Sequence, residues 1–408
     1  MDAASPTYPV AAVAPSSTAV STVRNRRVPT AGPQLLESCG TMWVVRRTAQ
    51  SELAHENQCD INPASSNPAG EKTPNKMSRS NFGFTDVFML HGSSEPISTN
   101  IDVTTGHLIL SYMEAYLRED SRMSADWEAV NAYEAEEATP CVDAQRPENL
   151  MKNRLIAPLP YEQSRVRLRF SKNDYINASL IYDHTPRNPM YIATPTPLLD
   201  TLADFWQMIW EQSSVVIVCL ERPADLKPYT EQLLLDSNNT NNLADECIQY
   251  WPNEGTYAYG NFEVHLVSEH SSSDKFIVRS LYLKNLQTAE TRTVTQFHYL
   301  TWNDEKLKSE TKSLLEFRRK VNRSFRGMMS PIVVHCSDGS SRTGTYVLLD
   351  LVLNRIAKGV KEVNIAATLE HLRDQRQGMV RRKEQYEFVF TAVAHEVDMM
   401  LKMSSQNG

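Results

Sequence analysis

Cys336 is followed six residues later by Arg342, within the run His335-Cys336-Ser337-Asp338-Gly339-Ser340-Ser341-Arg342-Thr343-Gly344. The apolar stretch Ile332-Val333-Val334 precedes this run, and a helix-forming stretch follows from Thr343. A loop between a strand and a helix points its backbone N–H groups at one spot, and the helix N-terminus adds partial positive charge there. Such a concavity binds a phosphate dianion. Arg342 is the candidate phosphate clamp, because its planar fork matches two oxygens. Cys336 is the candidate nucleophile, and the same field predicts a thiol pKa below the ordinary value. Thr343 is the candidate thiolate stabiliser, donating its hydroxyl to the sulfur. Ser337, Asp338, Gly339, Ser340 and Ser341 complete the candidate substrate-binding loop, in which Gly339 and Gly344 suit tight turns. The plainer alternative is a buried structural cysteine beside a surface arginine. Strand, His-Cys, glycine, Arg-Thr-Gly and helix in one register favour the phosphate loop over it.

The elements that position this loop follow from periodicity. Pro331 to His335 and Val215 to Leu220 are continuous apolar runs, as buried strands are. Asn261 to Val267 and Phe276 to Leu283 alternate like strands, and Asn173 to Ile181 reads as a turn entering one. Helices are predicted over His107 to Leu117, with Leu108, Ile109, Met113, Tyr116 and Leu117 at helical spacing, and over Asp200 to Gln212. Ser124 is a candidate cap for a helix carrying Trp127, Val130 and Tyr133. Thr343 to Lys358, Asn364 to Arg376 and Lys383 to about Lys402 are predicted to close the chain as three helices. The class is α/β, a twisted mixed sheet flanked by helices.

From Met1 to about Glu95 the chain is rich in Ser, Pro, Ala, Thr and Asn without periodicity, and reads as a disordered low-complexity arm. The expected organisation is this arm over 1–95, a helical extension over 96–150, the catalytic-type domain over 151–402 and a tail over 403–408. Arg24-Asn25-Arg26-Arg27 reads as a solvated basic patch. Leu226 to Glu246 reads as an insertion whose sequon, Asn238-Asn239-Thr240, has no use in a cytosolic domain.

The 408 residues carry a net charge of −7, which gives no reason to expect a nucleic-acid partner. The six cysteines form no CxxC pair, so neither a zinc site nor a disulfide framework is expected. No cofactor is called for. The apolar runs fall short of the roughly 18 residues that a membrane helix needs, and the N-terminus does not read as a signal peptide. The chain is therefore expected to be soluble and cytoplasmic.

Residues 150–402 resemble the class I Cys-based protein tyrosine phosphatases. Lys152-Asn153-Arg154, Pro160-Tyr161, Ser164-Arg165-Val166, Asp174-Tyr175-Ile176-Asn177-Ala178-Ser179, Phe205 to Glu211, Tyr250-Trp251-Pro252 and His335 to Gly344 carry that resemblance in the family's order. Asn100 to His107, Asp183 to Pro189, Leu266 to His270, Asn285 to Thr288 and Ile365 to His371 are similar to the receptor-type N branch, the islet-autoantigen and phogrin-like proteins. The resemblance implies a single-pass receptor of dense-core secretory vesicles whose cytoplasmic domain is catalytically impaired. This chain matches only that cytoplasmic part.

The family pattern also assigns roles outside the loop. Trp302-Asn303-Asp304 stands where Trp-Pro-Asp belongs, which makes Asp304 the candidate general acid. A surface turn residue is the plainer reading of Asp304. Loss of the proline to Asn303 predicts a loosened loop. Arg381 replaces the water-positioning Gln, with Gln385 nearby, and both are candidate substrate-binding residues. Leu155 replaces a Tyr that stacks on the phosphotyrosine ring, and Ala157 an Asp that anchors substrate backbone. Thr194-Pro195-Thr196-Pro197 replaces Thr-Gln-Gly-Pro. Ser340 and Ser341 replace an aliphatic residue and a glycine, and Ser341 would be strained if its φ were positive.

Asp338 stands where a small neutral residue is usual. A like charge at about 5 Å and an effective dielectric of about 20 costs roughly 3 kcal/mol, or about two orders of magnitude in rate. Loop side chains are expected to point away from the phosphate, which lowers that figure. Asp338 is also expected to raise the Cys336 pKa.

Three readings follow. One is an impaired phosphatase domain with a regulatory or scaffolding role, through protein partners and a homodimer. Another is a weakly active Cys-dependent phosphatase on phosphotyrosine or phosphoinositide. A purely structural domain with a buried Cys336 is a third, which retention of Arg342 disfavours.

Overall fold

The computed structural model describes residues 101–133, 140–184, 188–229, 246–325 and 330–406. The arm expected over 1–95, the basic cluster at 24–27, the sequon at Asn238 and most of the expected insertion lie outside them.

The strands, in chain order, are β1 Arg165–Arg167, β2 Tyr175–Ile181, β3 Tyr191–Pro195, β4 Val216–Cys219, β5 Leu226–Lys227, β6 Cys247–Ile248, β7 Thr256–Tyr259, β8 Phe262–Ser273, β9 Phe276–Asn285, β10 Thr291–Tyr299 and β11 Ile332–Cys336. Among the described residues, nine of them form one sheet in the order β1-β2-β3-β11-β4-β10-β9-β8-β7, and β5 pairs with β6. The middle of the sheet is parallel: β11 lies between β3 and β4, and β10 runs beside β4. Both flanks are antiparallel. Every residue of β3, β4 and β11 is buried, which is why they read as unbroken apolar runs. The mixed α/β class expected from the sequence is what the chain adopts.

The helices are α1 Val103–Arg118, α2 Asp120–Ala132, α3 Leu202–Glu211, α4 Thr311–Arg323, α5 Ser341–Ala357, α6 Ile365–Arg373 and α7 Lys383–Gln406. Asp102 caps α1 by accepting the N–H groups of Thr104 and Thr105, each at 3.0 Å. Ile109, Met113 and Tyr116 are buried as their spacing predicts, but Leu108 is 67 % exposed and Leu117 also faces outward. Ser124 caps nothing. It lies inside α2, which begins four residues earlier, and its hydroxyl donates to the Asp120 carbonyl. The helix α6 stops at Arg373, short of Arg376, where the chain turns towards Gly378 at φ +64°. The last helix runs through Gln406, so the expected tail is helical for most of its length. On one face of the sheet, Phe205, Trp206 and Ile209 of α3 pack with Ile217, Val294 and Val333.

Candidate active site

Cys336 ends β11, and α5 begins at Ser341, so the loop between them is four residues long. Arg342 and Thr343 therefore sit in the first turn of α5. Gly339 takes φ +65°, and a Cβ there would lie 2.3 Å from the Thr194 backbone. A Cβ at Gly344 would meet the Val380 nitrogen at 2.4 Å. Both glycines let neighbouring backbone close on the loop. Ser341 is helical and not in the left-handed region, so the strain foreseen for it does not arise.

The loop's charge balance differs from expectation. Asp338 is buried, and its side chain folds into the loop instead of pointing away. One carboxylate oxygen accepts the backbone N–H groups of Ser340 and Ser341, both at 2.8 Å. The other accepts the Ser341 hydroxyl at 2.6 Å and the Arg381 guanidinium at 3.3 Å. These donors hold the carboxyl below the usual range despite its burial. The amide groups and helix start that would cradle an oxyanion thus serve an internal anion.

Cys336 is fully buried, with its sulfur 3.2 Å from Asp338 and 3.2 Å from the Thr343 hydroxyl. The depressed thiol pKa expected from the loop does not survive. Burial first, then Asp338 and Glu221, push it up to about 12, against the smaller pull of Thr343 and Arg342. The S–H donates to the Asp338 carboxylate.

Arg342 donates to the Leu220 carbonyl at 3.0 Å and to the Glu221 carboxylate at 3.2 Å, with Asp225 at 3.8 Å. Glu221 ends a chain of hydrogen bonds that sequence reasoning missed. Gln296 donates to the Tyr250 hydroxyl, which faces His335 Nε2 at 2.8 Å. His335 Nδ1 lies 2.9 Å from the Thr196 hydroxyl, which donates to Glu221. That order makes Nδ1 the protonated nitrogen. His335 is wholly buried and neutral, its pKa lowered by burial to about 3. Thr196, in the altered Thr-Pro-Thr-Pro segment, also donates its N–H to the Cys336 carbonyl at 2.8 Å.

Arg376 was missed as well. It is fully buried and donates to the Gly339 carbonyl at 2.9 Å, to Ser179 and to Asn177. Nothing in its sequence spacing distinguishes it from a surface arginine. Val380 takes φ +58°, and its N–H donates to the Ser340 carbonyl.

Asp304 begins a short 3-10 helix, Asp304–Glu310, capped by the Asn303 side chain on the Glu305 N–H at 3.0 Å. The Asp304 carboxylate accepts from Trp302 Nε1 at 2.8 Å and Gln385 Nε2 at 3.0 Å, and pairs with Arg382 at 3.2 Å. The loop is therefore tied down through Asn303 and not merely loosened by loss of proline. Arg381 donates to the Ile156 carbonyl at 2.9 Å in addition to Asp338, so it bridges the site mouth. Leu155 is 91 % exposed at that side, while Ala157 is buried. Ser337 is half-buried and makes none of the described loop bonds.

The structure thus brings together Cys336, Asp338, Ser340, Ser341, Thr343 and Arg381, and Gln385 joins Asp304 to this group by accepting the Arg381 N–H at 3.2 Å. Among the described residues, no group of three or more His, Cys, Asp and Glu is arranged to hold a metal, and no helix is long and apolar enough to cross a membrane.

The family model described as protein-tyrosine phosphatase matches residues 149–395. The chain is 56 % identical over 318 residues to receptor-type tyrosine-protein phosphatase N2 of Macaca nemestrina, covering 77 % of this chain and 30 % of that protein. It is 50 % identical over 374 residues to the N2 protein of Rattus norvegicus, covering 91 % of this chain and 35 % of that protein. It is 49 % identical over 350 residues to receptor-type tyrosine-protein phosphatase-like N of Homo sapiens, covering 83 % and 34 %. The chain spans about a third of the length of these curated relatives.

Proposed function

Since the chain belongs to the protein-tyrosine-phosphatase family and groups with the receptor-type N2 and N-like proteins, we propose that its phosphatase-like domain is impaired on phosphotyrosine and acts as a regulatory or scaffolding module. Its place is the cytoplasmic face of dense-core secretory vesicles, a reading that rests on the branch-specific motifs alone. Protein partners and a homodimer belong to the same reading.

The observation that carries the impairment is the Asp338 carboxylate on the Ser340 and Ser341 amides beside Cys336. In phosphoryl transfer to cysteine, a thiolate attacks phosphorus, the loop amides and an arginine stabilise the equatorial oxygens, and an acid protonates the leaving phenol. Asp338 opposes two of these at once. It occupies the amide donors, so an incoming phosphate must displace a bound carboxylate. Together with burial, the larger influence, it also keeps the sulfur protonated, which removes the nucleophile. Arg381 strengthens the block by pairing with Asp338 from the mouth.

A weakly active Cys-dependent phosphatase is the second reading, and a different observation favours it. Thr343 still donates to the Cys336 sulfur, and Gln385 still holds Asp304, so the nucleophile and acid retain their supports. Phosphotyrosine or a phosphoinositide would then be the substrate. The test is turnover of a phosphotyrosine peptide and of a short-chain phosphoinositide by the full chain, alongside Cys336→Ser and Asp338→Ala. The impaired reading predicts wild-type turnover no greater than Cys336→Ser, with a gain in Asp338→Ala. Wild-type turnover that Cys336→Ser abolishes would replace it with the second reading.

A further inference from the structure

The segment from Arg373 to Lys383 joins α6 to α7 and brings Arg376, Val380 and Arg381 to the phosphate loop. Both of its ends are held by α2. At one end the buried Arg373 guanidinium donates to the Val130 carbonyl at 2.6 Å, in the last turn of α2. That carbonyl carries the partial negative charge of the helix C-terminus. The same guanidinium donates to the carbonyls of Met379 at 3.1 Å and Val380 at 2.8 Å. Tyr133, just past α2, donates to Asp374 at 2.8 Å. At the other end Lys383 reaches Asp120 at 3.0 Å and Ser124 at 2.8 Å. Asp120 is 86 % exposed, so that ion pair counts for little and Arg373 is the effective link.

What Arg373 grips is the part of the segment that touches the site. Val380 is β-branched and left-handed, a conformation that persists only where the surroundings over-determine it. Two restraints do so here. Its carbonyl is held by Arg373, and its N–H donates to the Ser340 carbonyl of the phosphate loop. The next residue is Arg381, which pairs with Asp338. The path from helix to site is thus one guanidinium and one strained residue long.

We propose that Arg373 is a positioning residue for the phosphate loop, through which α2 sets how firmly Val380 and Arg381 hold Ser340 and Asp338. The proposal rests on reading residues 336–342 as the anion site. A shift of α2 that withdraws the Val130 carbonyl leaves a buried guanidinium short of a partner, and Arg373 then loses its hold on Val380. Arg381 is freed from Asp338, and the cradle opens or loosens without any change in its own residues.

The test uses the full 408-residue chain and amide hydrogen exchange resolved over 338–344 and 378–382. Arg373→Gln is expected to speed exchange at Val380, Ser340 and Ser341 by about tenfold or more, while β4 and β11 stay protected. Arg373→Lys, which keeps the charge, is expected to fall between. If Arg373→Gln does not fold, Arg373→Lys and Tyr133→Phe carry the test with the same expected pattern. Exchange at those three amides unchanged within about twofold, or rising only in step with the whole domain, would overturn the proposal. A second arm measures tungstate affinity in Asp338→Ala with and without Arg373→Gln, and about tenfold weakening is expected. Should Asp338→Ala bind no tungstate, the anion-site reading fails, and the exchange arm still decides the positioning role.

Discussion

The Asp338 carboxylate lies 3.2 Å from the Cys336 sulfur, and both groups are buried. Two unit charges at that separation would repel by about 5 kcal/mol at an effective dielectric of about 20. They avoid this by sharing a proton-bearing arrangement, carboxylate on one side and thiol on the other. Burial and this carboxylate two positions away together hold the Cys336 thiol in its protonated form.

Asp338→Ala should therefore activate the thiol even where no substrate is turned over. Removing the carboxylate takes away the second-largest influence raising the sulfur's pKa and returns two amide N–H groups to the cradle. Alkylation of Cys336 by iodoacetamide near neutral pH is expected to speed by about tenfold or more, followed by mass spectrometry of the 336-containing peptide. An unchanged rate would mean that burial alone keeps the sulfur inert.

Ser340 carries a buried hydroxyl with no hydrogen-bond partner. An unpaired buried hydroxyl costs on the order of 1–3 kcal/mol. Ser340→Ala should accordingly be neutral or stabilising, by about 1 kcal/mol, read as a higher urea midpoint at unchanged slope. A clear loss of stability would show that the hydroxyl has a partner after all.

Restoring the family's proline should not restore the loop. Asn303 sits at φ −138°, outside proline's range near −65°, and its side chain caps the following 3-10 helix. Asn303→Pro is expected to lower stability by about 1–3 kcal/mol through the lost cap and the forced backbone change. It should add no phosphotyrosine turnover by itself. Unaltered thermal stability would contradict the capping role.

Acid should unfold the domain through two histidines. His335 and His298 are buried and neutral, with pKa values lowered by burial to about 3 and about 4. In the unfolded chain both return towards 6.5. Below that value the unfolded state binds more protons than the folded one, so stability falls as the pH drops towards 4. Two such groups give a slope approaching roughly 2.7 kcal/mol per pH unit. Urea unfolding between pH 4.5 and 7 measures it, and a flat profile would rule out two buried neutral imidazoles.

Much of this was legible in the sequence, for identifiable reasons. The strands β4 and β11 announce themselves because both faces are buried, and α3 because Phe205, Trp206 and Ile209 share one stripe. β10 was missed. Its Thr-Arg-Thr-Val-Thr-Gln start has an exposed outer half, and only its pairing with β9 and β4 makes it a strand. At the site, Cys336, Arg342 and Thr343 were readable because chain neighbours build the loop. Glu221, Thr196 and Arg376 were not, since they reach it from elements distant in the chain through one or two hydrogen bonds each. The Asp338 side chain turns into the loop, against the expectation that it points away. Sequence gives a residue's place in a loop, but whether it turns in or out depends on which donors are free, and here Ser340, Ser341 and Arg381 all were.

The central claim is that Asp338 acts as the phosphate loop's own anion, and calorimetric titration of tungstate tests it most directly. The wild-type chain and Asp338→Ala would be titrated side by side at neutral pH. The account predicts that Asp338→Ala binds at least about tenfold more tightly, a difference of about 1.4 kcal/mol or more. Equal affinities, or tighter binding by the wild type, would contradict it.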